Sequence, residues 1–184
     1  MTQRLLHLFN RHLATLLGAL LFIVTWLIYA STVPPVQVFG DPSEYTFIPW
    51  ILGIAHPPGY GFYTLLAAVW QHLLPIGTVA FRTHLLASTA GALSATLVYL
   101  IVLRLLNQSK RSERSEAQSK NAHPSTSLRP AQDALVYLPA LFAGLSLAAA
   151  TDIWQHSIHT NAHIITLLLA TTCVFLLIQW WSSG

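Results

Sequence analysis

Two carboxylates are the first side chains in this sequence that could do chemistry. Asp41 and Glu44 stand three residues apart in the string Val-Phe-Gly-Asp-Pro-Ser-Glu-Tyr, so both fall on one face of a helix that begins near Pro42. Proline in the first helical turn, with Asp41 before it as the N-cap, is a typical helix start. One interpretation is therefore structural: Asp41 caps the helix and Glu44 favours its N-terminus. The other is a partly desolvated carboxylate that acts as a general base.

A second group of candidate side chains follows the acids. His56 precedes the rigid turn Pro-Pro-Gly, and Tyr60 follows it. Taken alone this string is a weak signal, because the same residues would also serve merely to turn the chain. Arg82 comes next, and it either anchors the chain at lipid headgroups or binds phosphate oxygens in a bidentate manner. The sequence leaves these two interpretations of Arg82 equal.

A third polar group lies between two apolar runs near the C-terminus. Its members are Asp152, Trp154, His156, His159, Asn161 and His163. The spacing i, i+3, i+7 would align the three histidines on one helical face, as a metal site requires. Polar residues at a membrane interface are the competing explanation, and Trp154 suits an aromatic belt. The histidines are therefore weak metal candidates, and no cofactor is predicted with certainty.

The composition indicates where these side chains must lie. Of the 184 residues 54% are apolar and only 8% are charged, whereas soluble proteins carry roughly 25% charged residues. Too few charges remain to cover a soluble globule. The basic residues cluster near the N-terminus and in residues 107–130 instead of alternating with aromatic residues on one face, which excludes nucleic acid as a partner. The sequence predicts an all-α membrane protein with the lipid bilayer as its first partner.

Apolar runs give the expected spans, each of which needs about 20 residues. Four runs qualify, namely residues 13–30, 85–106, 134–151 and 164–181. A fifth run, residues 59–74, differs because its stretch free of proline and glycine, Phe62–Leu74, reaches only about 20 Å as a helix. Its large apolar residues also share one face, opposite Thr64, Ala67, Ala68 and Gln71. We therefore predict four spans and one amphipathic helix that lies in the plane of the membrane.

Charge gives the expected orientation. Residues 107–133 are rich in basic and small polar residues, which predicts a disordered basic linker, and such segments stay in the cytoplasm. If residues 59–74 lie flat, this linker and the N-terminus are both cytoplasmic, and the outer loops share the other side. The predicted domains are a membrane module over 1–106, with its outer loop at 31–58, the linker over 107–133, and a helical hairpin over 134–184. That hairpin ends without a cationic flank, as a truncated product of a multi-pass cell-membrane protein would.

The order of these features resembles one known family. A spanning helix leads to Gly-Asp-Pro-Ser-Glu at residues 40–44, then to Leu-Gly-Ile-Ala-His-Pro-Pro-Gly-Tyr at 52–60, an in-plane helix, and Ala-Phe-Arg-Thr-His-Leu-Leu-Ala-Ser at 80–88. Over about residues 13–165 the chain resembles the protein O-mannosyltransferase-like multi-pass membrane family, a branch of the C-type glycosyltransferase superfold. The resemblance implies the N-terminal part of that fold. Because the superfold has more than four spans, it also implies further C-terminal sequence or partner chains.

The resemblance implies a reaction as well. Such enzymes pass a sugar, here expected to be mannose, from a polyprenyl-phosphate carrier to a hydroxyl of a protein or glycan acceptor outside the cytoplasm. Asp41 matches the base that activates the acceptor, Glu44 matches a second acid that positions the acceptor or a divalent metal, and Arg82 matches an arginine that holds the carrier phosphate. The other candidates for substrate binding are His56, Tyr60, Trp154 and Asn161.

The sequence departs from that family's pattern in several places. Pro-Ser separates the acids where the family has Ser-Gly, Gly61 replaces a proline, Thr-His at 83–84 replaces Val-Asn, and Asn-Ala-His at 161–163 replaces Glu-Val-Tyr. Two other classes of function therefore stay open. One is a non-catalytic subunit or degenerate relative that binds lipid-linked sugars, and the other is a histidine-based metal-handling protein. The scarcity of ionisable residues inside the spans disfavours transport.

Overall fold

The computed structural model describes residues 2–57, 59–119 and 135–182, and in these ranges all regular structure is helical. The helices are α1 Thr2–Thr32, α2 Asp41–Ile51, α3 Gly61–Leu73, α4 Val79–Ser119, α5 Tyr137–Ala149, α6 Thr151–Ile158 and α7 Ala162–Trp181. Three of them are long and apolar enough to cross a membrane, over His12–Thr32, Val79–Glu116 and Ala162–Trp181. The expectation of an all-α membrane protein is therefore confirmed.

The fourth expected span has a different form. Residues 134–151 were expected to make one helix, but α5 and α6 form a pair bent by 62°. The bend occurs because Ala150 leaves the helical conformation, with ψ at 127°. The 13 residues of α5 reach only about 20 Å, less than a hydrocarbon core about 30 Å thick. A count of four spans therefore holds only if the bent pair is taken as one.

The long helix α4 is the centre of the fold. It packs against α1, α5, α6 and α7. Of its most apolar stretch 56% is buried, against 22% for α1 and 17% for α7. Small buried residues line it, among them Ala87, Ser88, Ala90, Gly91, Ala92, Ser94 and Ala95. Small residues let helices approach closely within lipid, where contact between apolar side chains gives little net driving force.

The outer surface is strongly apolar. On α3, Phe62, Leu65, Val69 and Leu73 are 58–73% exposed, while Thr64, Ala67, Ala68 and Gln71 on the opposite face are buried. The small and polar face is buried as the sequence predicts. The predicted apolar face is exposed only in part, because Leu66 and Trp70, which belong to it, are half-buried and pack against the core. A surface of this kind suits contact with lipid.

The linker expected after residue 106 differs in its first part, because α4 continues to Ser119. Residues 107–119 contain Arg, Lys, Glu, Gln and Ala, which are good helix formers, besides four serines and one asparagine, and extending an existing helix avoids the cost of nucleation. The rest of that expected linker, residues 120–133, lies outside the described residues.

Candidate active site

The first turn of α2 presents Asp41 to solvent. Gly40 is the N-cap, and its φ of 86° lies in the region that favours glycine. The Ser43 amide donates to the Gly40 carbonyl at 2.9 Å. The prediction that Asp41 caps the helix is wrong, since Gly40 makes the turn and Asp41 is already helical. Its exposed carboxylate has no hydrogen-bond partner among the described residues.

Glu44 lies one turn further along and holds the loop that carries His56. Its Oε1 accepts a hydrogen bond from the His56 backbone amide at 2.6 Å, and its Oε2 lies 2.7 Å from His56 Nδ1. The bond from His56 lowers the pKa of the Glu44 carboxyl. The same contact is the main reason that the pKa of the His56 imidazole is raised, and the charges of Glu44 and Asp41 raise it further. The structure thus brings Glu44 and His56 into direct contact, and the charge of Asp41 acts on the same ring.

A strained turn places Tyr60 beside this group. The Gly59 amide donates to the His56 carbonyl at 2.8 Å, and φ is 91° at Gly59 and 46° at Tyr60. A positive φ is unusual for a bulky residue and costs about 1–3 kcal/mol, so such strain often marks a functional site. The Tyr60 ring packs edge-on at 5.3 Å from the buried Tyr45 ring and 5.9 Å from the His56 ring.

Tyr60 also links the turn before α3 to the segment that joins α6 and α7, which we call the second loop. Its ring centre lies 6.3 Å from that of His163, which lies 6.0 Å from that of His156. Asn161 is the N-cap of α7, because its Oδ1 accepts the His163 amide at 2.7 Å. Its Nδ2 lies 3.1 Å from His156 Nδ1. A continuous series of contacts therefore runs from Glu44 to the second loop.

The three histidines of the second loop do not share a helical face. That expectation is wrong because α6 ends at Ile158 and α7 begins at Ala162, which leaves His159 in the connection, where its ring lies 6.4 Å from that of His84. No group of three His, Cys, Asp or Glu side chains in the described ranges is placed to hold a metal ion. The described residues therefore do not fit a divalent metal, and we derive no step through one.

Two other candidate residues, Arg82 and Trp154, make their contacts elsewhere in the fold. Arg82 donates to the backbone carbonyls of Gln71 at 3.0 Å, Ile76 at 2.9 Å and Gly77 at 3.1 Å. It thereby stabilises the end of α3, and two of the five guanidinium N–H groups stay available. Trp154 packs edge-on against Tyr29 of α1 at 5.4 Å. No contact joins either residue to the two acids within the part of the chain described.

The buried His84, which had no predicted role, joins the segment after α1 and the second loop to α4. The amide of Thr160 donates to His84 Nδ1 at 2.8 Å, and the Thr160 hydroxyl lies 2.6 Å from the same nitrogen. The other ring nitrogen lies 3.3 Å from the Val36 carbonyl. The departure from Val-Asn at 83–84 marked this position in the sequence, but only the fold reveals its partners.

Residues 41–183 match the model of a family described as the protein O-mannosyl-transferase TMEM260 N-terminal domain. The chain belongs to this family. The family inferred from the residues is therefore confirmed, and the TMEM260 N-terminal domain match begins at Asp41 and includes every candidate site residue. No solved structure matches the chain, and the C-type glycosyltransferase fold stays a prediction.

Two relatives of this TMEM260 domain are informative. The mouse protein O-mannosyl-transferase TMEM260 is 41% identical over 78 residues, which is 42% of this chain and 11% of the mouse protein. The protein of the same name from Dictyostelium discoideum is 34% identical over 90 residues, which is 48% of this chain and 11% of the relative. The matching part of this chain thus spans about a tenth of the length of each relative.

We expect His84→Ala to destabilise this TMEM260 domain by about 1–3 kcal/mol, because it leaves the buried amide and hydroxyl of Thr160 without their acceptor. Thermal unfolding in detergent measures this effect. His84→Asn retains an acceptor and should lose less stability. The matched control is His12→Ala, which removes an exposed ring near the start of α1. Equal losses for the alanine variants of the two histidines would contradict the role we give to His84.

Proposed function

We propose that this chain is the N-terminal part of a multi-pass membrane mannosyltransferase. In this proposal it helps to pass mannose from a polyprenyl-phosphate carrier to an acceptor hydroxyl on the extracytoplasmic side. The observation that carries the proposal is the contact of Glu44 with His56 beside Asp41. Further support comes from the names of the two relatives, both called protein O-mannosyl-transferases.

The reaction requires a proton acceptor at this group. The acceptor oxygen forms a bond to the anomeric carbon while the bond from that carbon to the phosphate oxygen breaks, and its electron pair leaves with the phosphate. The hydroxyl proton must pass to a nearby base. Asp41 is the base that the sequence suggests, and the His56 ring is a second acceptor within the same group.

The apolar surfaces near this group suit a lipid carrier. We place α3 in the plane of the outer leaflet, with Phe62 and Leu65 towards the acyl chains. A cavity of about 390 Å³ beside α2, whose apolar lining includes Val36, Phe47 and Trp50, offers the carrier a further apolar surface. A donor that arrives within the bilayer would thus meet the acids at its edge.

A transfer assay tests the proposed donor. We expect the full-length protein in lipid nanodiscs to transfer radiolabelled mannose from polyprenyl-phosphate mannose to an acceptor, and not from GDP-mannose. Transfer from the nucleotide sugar alone would contradict the proposed donor. Binding of the lipid donor with no transfer to any acceptor would favour a non-catalytic subunit, a candidate consistent with the three Arg82 N–H groups already bound to backbone carbonyls.

Cysteine labelling tests the proposed orientation. Cys173 is the single cysteine, so Cys173→Ser provides a background for Gln37→Cys in the first outer loop and Ser112→Cys on the far part of α4. We expect a membrane-impermeant maleimide added to intact cells to label position 37 and not position 112. Permeabilised cells, in which both should react, are the control. Labelling of position 112 in intact cells would contradict the arrangement with α3 in the membrane plane.

A further inference from the structure

The contact of Glu44 with His56 has the geometry of an oriented carboxylate–imidazole pair. An ionised carboxylate only accepts hydrogen bonds, so the 2.7 Å contact with Glu44 places the ring hydrogen on His56 Nδ1. The neutral ring then carries its lone pair on Nε2. The same carboxylate accepts the His56 backbone amide at 2.6 Å. One side chain therefore fixes the tautomer of the ring and the loop to which the ring is attached.

The groups around the His56 ring favour acceptance of a proton. They come from three parts of the fold: Asp41, Glu44 and Tyr45 from α2, Tyr60 from the turn before α3, and His163 from α7, which contacts Tyr60. The two carboxylates stabilise a positive charge on the ring. The Tyr45 and Tyr60 rings lie 5.9 Å from it. The His56 side chain is 41% exposed, so a substrate hydroxyl can reach it.

Asp41 lacks a comparable orientation. Its carboxylate is exposed and has no hydrogen-bond partner among the described residues, so nothing holds it in one direction. A general base needs to be held within hydrogen-bond reach of the proton that it removes. On this ground His56 is the better-placed acceptor, and Asp41 contributes the negative charge that helps to stabilise the protonated ring.

We infer that His56 Nε2 takes the proton of the acceptor hydroxyl and that Glu44 is the positioning residue of this base. The inference rests on the proposed function. The acceptor O–H bond breaks and its proton passes to Nε2, while the acceptor oxygen bonds to the anomeric carbon and the phosphate leaves with the electron pair of the broken bond. Glu44 stabilises the imidazolium, as carboxylates do in hydrolase triads.

The pH dependence of kcat/KM for mannosyl transfer tests this inference. Wild-type activity should fall as the pH drops through an apparent pKa above the ordinary histidine value of about 6.5. His56→Gln should lose about 10²- to 10⁴-fold in rate and lose this acid limb. Glu44→Gln should shift the limb to lower pH, because it removes the main cause of the raised pKa of His56. His12→Gln, which changes an exposed histidine near the start of α1, is the matched control.

Nitrogen NMR of labelled histidine gives a readout that does not depend on activity. In the full-length protein the His56 ring should carry its hydrogen on Nδ1 and titrate at higher pH than in Glu44→Gln. The His56→Gln variant assigns the signal, and its backbone amide can still bind Glu44. If His56→Gln keeps most of its transfer while Asp41→Asn loses it, the inference is wrong and the proposed function stands. If the wild type transfers no mannose, the proposed function is wrong, and the inference that rests on it is wrong as well.

Discussion

The combined change Asp41→Asn and Glu44→Gln is expected to reduce mannosyl transfer by about 10²- to 10⁴-fold while the protein stays folded. The change removes both carboxylates beside His56 and keeps the size of each side chain. The ring then loses the carboxylate that fixes its tautomer and the negative charge that stabilises its protonated form. Initial rates with polyprenyl-phosphate mannose measure the loss. Asp41 is exposed and Glu44 partly so, and we therefore expect little change in thermal stability.

A matched control for this variant lies on the far part of α4. Glu113→Gln combined with Glu116→Gln removes two exposed carboxylates and changes the net charge by the same amount. We expect it to transfer mannose at the wild-type rate. If the two double variants were equally active, the acids of α2 would have no part in the reaction, and the site would have to be sought elsewhere.

Gly91→Val is expected to have the largest effect on folding. A Cβ at this position would overlap Ser157 Oγ and lie 2.8 Å from Ser157 Cβ and 3.1 Å from the Tyr29 ring. Helix α6 would have to move away from α4, which would also break the 2.8 Å bond from Ser88 Oγ to the Ser157 carbonyl. Overpacking of this kind costs about 1–3 kcal/mol or more. Thermal unfolding in detergent should show a clear loss of stability.

Two further variants test this explanation. Gly61→Val introduces the same side chain where a Cβ meets nothing within 4 Å, so its stability should stay near that of the wild type. Ser157→Gly combined with Gly91→Ala removes the overlapping hydroxymethyl group and should recover stability relative to Gly91→Ala alone. An unchanged unfolding temperature for Gly91→Val would mean that α4 and α6 do not pack as described.

Much of the helical framework could be predicted from the sequence. Long apolar runs identify α1, α4 and α7 because spans are defined by length and hydropathy, which are local properties. The buried small and polar face of α3 was also predictable, because helical periodicity is a local property of the sequence. The bend at Ala150 was not, because alanine has no intrinsic tendency to end a helix and nothing in its neighbours sets the extended backbone.

The contacts within the candidate site could not be predicted from the sequence. Glu44 and His56 are separated by 12 positions and by a left-handed residue, Leu52 at φ 52°, so no periodic pattern relates them. Their contact depends on how the chain turns after α2. The prediction for the three histidines was wrong for a different reason. It assumed helical spacing across residues 159–161, which are not helical. The bonds of Arg82 to carbonyls likewise depend on the loop after α3.

The segment between α1 and α4 and the loop between α6 and α7 are both attached to the first ten residues of α4. Arg82 binds the end of α3, His84 binds Thr160 and Val36, and Ser88 binds Ser157. With 41 residues, α4 is a rod roughly 60 Å long. A rigid movement of this rod, whether along its axis or about it, would carry the attached segments together and preserve their mutual distances, so their registration depends on one helix end.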